Sequence, residues 1–215
     1  NKLVMKLFLI RHAEGEDYGD TWQSPQTPLS KLGTKQAKAL GVLPRFKDVD
    51  AVFSSELKRS VDTALPIVKS LGLKLERNKD IFERNQSSKI YGLARDSQIS
   101  KDYSHKLMEN IDDWDWKWDE QEESLNEVLS RALKFKSKLV TQYSQKSLVV
   151  VSHETFIRSL ISTCILGDEV DKSFKRLYWS MAFQNTGISL LVYREDRKVW
   201  KLWYLNDFGH LGNLS

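Results

Sequence analysis

Four side chains from three separated stretches combine positive charge or a nucleophilic nitrogen with a strand end: Arg11 and His12, Arg59, and His153. Two guanidinium forks suit a tetrahedral oxyanion, because each presents parallel N–H donors to paired oxygens. A neutral imidazole beside them suits attack on phosphorus, and nearby arginines disfavour the imidazolium and so keep the attacking nitrogen unprotonated. A phosphoryl group in transfer spreads charge over three equatorial oxygens and calls for this combination of several donors with one in-line nucleophile. Each residue also has a plainer reading. An isolated Arg-His pair is often a strand end with a surface arginine, and a histidine after a strand is often a satisfied core residue.

What gives the four residues a common site is the pattern of elements that carries them. Lys6 to Ile10 is a short apolar run that ends in Arg11-His12, and Ala51 to Ser54 and Ser147 to Ser152 repeat the design, each closing in serine before an amphipathic helix. The first helix starts after Ser30 as N-cap and buries Leu32, Ala39, Leu40 and Leu43. The second follows Ser55, with Leu57, Val61, Ala64, Leu65, Val68 and Leu71 on one face, Gly72 as its stop and Pro66 as a bend. A third begins near Glu154 and presents Phe156, Ile157, Leu160, Ile161, Cys164 and Ile165. A longer helix from about Glu122 to Tyr143 buries Leu125, Val128, Leu129, Ala132, Phe135 and Leu139, and Ile188 to Tyr193 with Val199 to Tyr204 forms a hairpin. The alternation predicts an α/β fold: a three-layer α/β/α sandwich with a mostly parallel sheet and a C-terminal antiparallel hairpin. In such sheets ligands bind beyond the carboxyl ends of the strands, where Arg11, His12, Arg59 and His153 all fall.

Length and composition bound the rest. At 215 residues, with 40% hydrophobic and 29% charged residues and four prolines, a single domain over 1–215 is expected, carrying an inserted lid at about 85–121. One cysteine and four histidines without zinc spacing predict neither disulfide nor metal, and no cofactor is expected. Apolar runs such as Leu148 to Val151 are too short for a bilayer and the N-terminus lacks a secretory h-region, so the expectation is a cytoplasmic protein without membrane association. Net charge is +4, but residues 112–123 hold seven acids and one lysine, which leaves a basic remainder suited to anionic ligands. No nucleic-acid signature accompanies that charge. A homodimer is compatible with the sequence, which leaves oligomeric state open.

Five motifs in order resemble the histidine phosphatase superfamily, the group that includes cofactor-dependent phosphoglycerate mutases. They are Leu9-Ile10-Arg11-His12-Ala13-Glu14; Thr27-Pro28-Leu29-Ser30-Lys31-Leu32-Gly33 with Gln36-Ala37; Ser54 to Ala64 around Arg59; Val151-Ser152-His153 with Ile157-Arg158; and Asn206-Asp207 with His210-Leu211. The resemblance implies a phosphohistidine intermediate on His12, with Arg11, Arg59 and His153 binding the phosphoryl oxygens. It also implies a general acid in the Ile81-Phe82-Glu83-Arg84 segment, namely Glu83, with Glu154 just after the second histidine as the competing acid. Glu14 is a further candidate to orient the imidazole or line the pocket, with a surface role equally open.

The expected activity is hydrolysis of a small phosphomonoester. Mutase chemistry is the rival, weakened because Gly15-Glu16-Asp17-Tyr18 stands where mutases carry a different sequence. A protein phosphohistidine phosphatase and a non-catalytic phosphate binder are more distant alternatives. In the segment from Asn85 to Gln121, Trp114, Trp116 and Trp118 are interleaved with Asp113, Asp115, Lys117 and Asp119, which places three indoles on one side of an extended chain. They read either as a lid over the pocket or as anchors of an acidic surface loop. An acidic lining would select against substrates with extra anionic groups.

Overall fold

Burial along the strand β1 (Val4–Arg11) sets the layering: Met5, Leu7 and Leu9 pack into one hydrophobic cluster while Phe8 and Ile10 pack into another on the opposite face. A strand buried on both faces must lie at the centre of a sheet covered twice. The computed structural model, which describes residues 4–16 and 19–214, places it there. The remaining strands are β2 (Ala51–Ser54), β3 (Leu75–Arg77), β4 (Ser147–Ser152), β5 (Ile188–Arg194) and β6 (Val199–Asp207), and the sheet order is β3-β2-β4-β1-β5-β6. β3, β2, β4 and β1 run parallel, and β5 and β6 close the sheet antiparallel.

Helices α1 (Lys31–Gly41) and α2 (Lys58–Leu71) contribute Leu40, Ala64, Ile67 and Val68 to the cluster on one face. On the other face lie α4 (Leu125–Gln142) and α5 (Glu154–Leu166), after α3 (Gln98–Glu109) in the chain, and α6 (Lys172–Ser180) packs against α5. The result is the expected three-layer α/β/α sandwich with its C-terminal hairpin. Helix starts follow side-chain chemistry. Ser30 caps α1 by accepting from the Gly33 N–H, and Ser124 and Glu127 form a capping box at α4. Gly72 ends α2 in the left-handed region at φ 66°, which costs an L side chain energy.

The sequence pattern predicted some faces incorrectly. In α1 the buried positions are Gly33, Gln36, Ala37 and Leu40, whereas Leu32, Ala39 and Leu43 are only half-buried. Gly33 sits so close under the backbone of Glu14 that a Cβ there would lie 1.9 Å from the carbonyl oxygen, so the face is chosen by close approach and not by apolar area. In α2, Leu65 is exposed, and the buried stripe runs through Arg59, Ser60 and Thr63 as well as Ala64 and Ile67. Ile165 of α5 is likewise exposed. β3, α3 and α6 went unforeseen because their apolar signal is slight: β3 buries no residue fully, and each of the two helices buries two.

Candidate active site

The nucleophile candidate is immobilised from four sides. The His12 N–H donates to the Ser152 carbonyl at 2.9 Å, which extends the β1–β4 ladder one residue past the strand. Asn185 Nδ2 donates to the His12 carbonyl at 2.9 Å, and the next N–H, of Ala13, donates to Thr63 Oγ1 at 2.9 Å. The ring itself is fixed by two contacts. Nδ1 lies 2.7 Å from the Ala13 carbonyl and Arg59 Nε lies 3.2 Å from Nε2. A carbonyl only accepts and a guanidinium only donates, so Nδ1 carries the proton and Nε2 holds the lone pair. Burial, then the charges of Arg59 and Arg11, push the His12 pKa well below its ordinary value, so the ring is neutral at physiological pH.

His12 is only 4% exposed, and its exposed edge joins the wall of a cavity of about 270 Å³ with Arg11, Arg59 and Glu83. Arg59 is buried; its Nη1 donates to the Ser24 carbonyl at 3.0 Å, and burial lowers its pKa while the Glu83 charge opposes that shift. Arg11 donates to the Phe183 carbonyl and pairs with Glu154 at 3.1 Å. Glu83 Oε1 accepts from the Arg84 N–H at 2.9 Å and from the Thr155 N–H, in the first turn of α5, at 3.2 Å. The carboxyl group of Glu83 is thereby held at the N-terminal end of α5, in the same cavity wall as the imidazole.

Three of the candidates stand off the cavity lining. Glu154 does not line the cavity; it bridges Arg11 and Arg158 as an ion-pair partner. Glu14 is also outside the lining. Its carboxylate accepts from Ser30 Oγ at 2.6 Å and its carbonyl from the Ser30 N–H, so it ties the loop after β1 to the cap of α1. His153 is fully buried behind the wall, its ring centroid 4.9 Å from that of His12, with Nε2 2.7 Å from Ser55 Oγ and Nδ1 buried without a partner among the described residues. Its pKa too lies well below the ordinary value, through burial first and then Arg59, His12, Arg11 and Arg131. Asp17 and Tyr18, part of the departure from the mutase pattern, lie outside the described residues.

An arginine-lined cavity beside a neutral imidazole suits the binding of a phosphoryl group. Residues 7–206 match the sequence model of the histidine phosphatase superfamily (branch 1). The chain belongs to the histidine phosphatase superfamily. Among relatives in this superfamily, phosphoserine phosphatase 1 of Hydrogenobacter thermophilus is 29% identical, over 97% of this chain and 95% of its own. The adenosylcobalamin/alpha-ribazole phosphatase of Salmonella typhi is 25% identical over 92% of this chain and 99% of its own. The solved structure of a mycobacterial glucosyl-3-phosphoglycerate phosphatase shares the fold with a TM-score of 0.75 at 22% identity, covering 94% of this chain and 99% of that one. So does a phosphoserine phosphatase variant from Entamoeba histolytica in complex with phosphoserine, at TM-score 0.75, 23% identity, 96% of this chain and 99% of that one.

The roles of the supporting residues were not read from the sequence. Thr63, which lies in the motif around Arg59 but was given no role there, and Asn185, which lies in none, clamp the His12 backbone and carry no periodic signal. Arg131 of α4 donates to the carbonyls of Asp80 (2.6 Å) and Phe82 (3.2 Å), stacks on the Phe82 ring and is gripped by both oxygens of Glu123, so it positions the turn that bears Glu83. The tryptophan segment is a series of turns and not an extended chain. Trp114 packs on Phe174 and Tyr178 in one cluster, and Trp118 joins Tyr103 in another, so these indoles anchor the insertion. The acids there cap turns and brace side chains: Asp119 accepts from Ser87, and Glu122 from the Tyr103 hydroxyl and the Trp118 N–H. None lines the cavity, whose wall from the insertion is formed by Gln86, Arg95 and Leu107. The expected acidic lining is replaced by a cationic one.

Proposed function

We propose that this chain is a phosphatase of small phosphomonoesters that passes the phosphoryl group through Nε2 of His12. The observation that carries the reading is the fixed tautomer of a buried, neutral His12 whose lone pair meets an arginine at the cavity floor. The phosphatase names of the relatives above support it.

In the resting enzyme Arg59 donates its Nε–H to that lone pair, which masks it. A substrate phosphoryl group placed on Arg11 and Arg59 draws this donor to its own oxygen and uncovers Nε2 for in-line attack. The N–P bond forms as the ester O–P bond breaks, and the alkoxide takes the proton of Glu83, which enters the cycle as the neutral acid. The Glu83 carboxylate then takes a proton from the water that attacks the phosphohistidine, releasing phosphate and restoring both groups. His153 packs against His12 from behind, its ring centroid 4.9 Å away, and stiffens it. A volume near the lower end of ligand sites suits a small metabolite. No described helix is long and apolar enough to cross a membrane, and we place the activity in the cytoplasm, to be checked by cell fractionation.

The test is His12→Ala, with circular dichroism confirming the fold. Hydrolysis of p-nitrophenyl phosphate should fall by about 10³-fold or more, and acid-labile, alkali-stable phosphate should be trapped on the native chain but not on the variant. Undiminished turnover in the variant would refute the reading. Isomerisation of phosphoglycerate faster than phosphate release would reassign the chain as a mutase.

A further inference from the structure

The Glu83 carboxyl group is met directly by the N–H groups of Arg84 and Thr155, but the residues on either side of it are fastened to one ion pair that stands off the cavity lining. Glu123 directly precedes the N-cap of α4, and Arg131 lies within that helix. They pair as a fork, with Arg131 Nε 2.6 Å from Oε1 of Glu123 and Nη2 2.7 Å from Oε2, the strong bidentate form of such a contact. Their side chains are only 14% and 13% exposed, so solvent and salt screen the pair weakly.

Hydrogen bonds run from this pair to both flanks of the acid. Upstream, Arg131 Nη1 donates to the carbonyls of Asp80 and Phe82. Downstream, the Glu123 carbonyl accepts from Arg84 Nε at 2.6 Å, its Oε2 accepts from the Asn85 N–H at 3.3 Å, and its own N–H donates to the Asn85 carbonyl at 2.8 Å. The Arg131 guanidinium also packs over two rings, 4.0 Å from the centroid of Phe82 and 5.6 Å from that of Phe156. Phe156 follows Thr155 in the first turn of α5, so Arg131 touches both the turn that bears the carboxyl group and the helix turn that anchors it.

Residues 82–87 form neither helix nor strand, so the fork supplies at Glu83 the constraint that a backbone ladder supplies at His12. Placement matters because a general acid must come within about 2.6–3.2 Å of the oxygen it protonates, and a misplacement of about 1 Å costs about 10²-fold in rate. Resting on the phosphatase reading with Glu83 as its acid, we infer that Glu123 and Arg131 are positioning residues for proton donation to the leaving alkoxide. They act through the placement of Glu83, and their loss spares the grip of Arg11 and Arg59 on the phosphoryl group.

The experiment is a double-variant cycle on kcat/KM with two esters, glycerol 3-phosphate, whose alkoxide needs a proton, and p-nitrophenyl phosphate, whose phenolate does not. Arg131→Gln should lower the glycerol 3-phosphate value by about 10²-fold and the p-nitrophenyl phosphate value far less. Introduced into Glu83→Gln, the same change should lower the glycerol 3-phosphate value little further, because the group it places no longer carries a proton. Glu123→Gln leaves Arg131 able to hold the two carbonyls; it should show the same pattern with a smaller loss, and it carries the test if Arg131→Gln fails to fold. Comparable losses on both esters, or losses that multiply in the Glu83→Gln background, would make the pair a structural brace and overturn the inference. A glycerol 3-phosphate value untouched by Glu83→Gln would instead remove Glu83 from the proton path and the inference with it, and phosphate release that survives His12→Ala would sink the phosphatase reading itself.

Discussion

The rim of the parallel strands and the insertion that faces it across the cavity are built on opposite principles. On the rim, His12 is held through backbone hydrogen bonds to Ser152, Thr63 and Asn185, and the surrounding residues pack into the two large clusters of the sandwich. The insertion has no share in those clusters. It is attached by small aromatic groups around Trp114 and Tyr103 and by ion pairs such as Arg84–Glu122. Atoms that must be placed within tenths of an ångström sit where the chain is over-determined, and residues that choose the ligand sit where contacts are few and local. Perturbing the rim should therefore strike the chemistry, and perturbing the insertion should strike stability and selectivity.

The largest effect is expected at Glu83. Glu83→Gln should lower kcat by up to about 10⁴-fold for an alkyl phosphate, whose leaving group needs a proton, and far less for p-nitrophenyl phosphate, whose leaving group does not. Equal losses on both esters, measured under saturating substrate, would place Glu83 outside the proton path.

Trp114→Ala probes the other side of the comparison. Removing an almost fully buried indole from its contacts with Phe174 and Tyr178 should cost about 3–5 kcal/mol in urea unfolding. The loss should appear as reduced stability, with kcat for p-nitrophenyl phosphate much less affected than in Glu83→Gln. A rim-like collapse of kcat at unchanged stability would erase the distinction between the two regions.

Arg59→Lys tests whether geometry or mere charge matters at the cavity floor. A lysine keeps the charge but loses the fork and the Nε–H that meets His12, and about 10²-fold in kcat/KM should go with them. Near-native activity would show that a point charge suffices.

The smallest effect is a pH dependence of stability. His12 and His153 both have folded-state pKa values far below the ordinary one, in each case through burial first and Arg59 second. As pH falls below about 6.5 the unfolded chain gains protons that the folded chain refuses, so stability is full above that pH and declines beneath it. Each histidine contributes a slope of up to about 1.4 kcal/mol per pH unit. Urea midpoints between pH 7 and 5 should decline less steeply in His153→Asn than in the native chain. Parallel slopes would show that His153 takes a proton while folded.

The same contrast explains what could be read from the sequence. His12 and His153 were legible because short apolar runs end just before them, and Arg59 because it opens the helix that follows another such run, while a parallel sheet gathers its carboxyl ends at one edge. Arg59 itself breaks the apolar stripe of α2, and its burial became intelligible only with the cavity in view. Asn185 was invisible: it reaches His12 across 173 positions, and nothing local marks a side chain whose partner is a distant carbonyl. The acids of residues 112–123 misled for a related reason. Composition reports how much charge a segment holds, whereas turn geometry decides that Asp119 and Glu122 point to Ser87, Tyr103 and Trp118 rather than to a ligand.

β1 lies between β4 and β5, with two further strands on the β4 side and one on the β5 side, and its ladder runs on through the His12 amide. Deuterium should enter that amide only when the whole sheet opens, while amides of residues 110–120 exchange through local openings. An enzyme wired this way does not bring its nucleophile to the substrate. Adjustment during turnover falls to the guanidinium of Arg59 and to the opposite wall, around an imidazole that serves as the stationary reference point of each catalytic cycle.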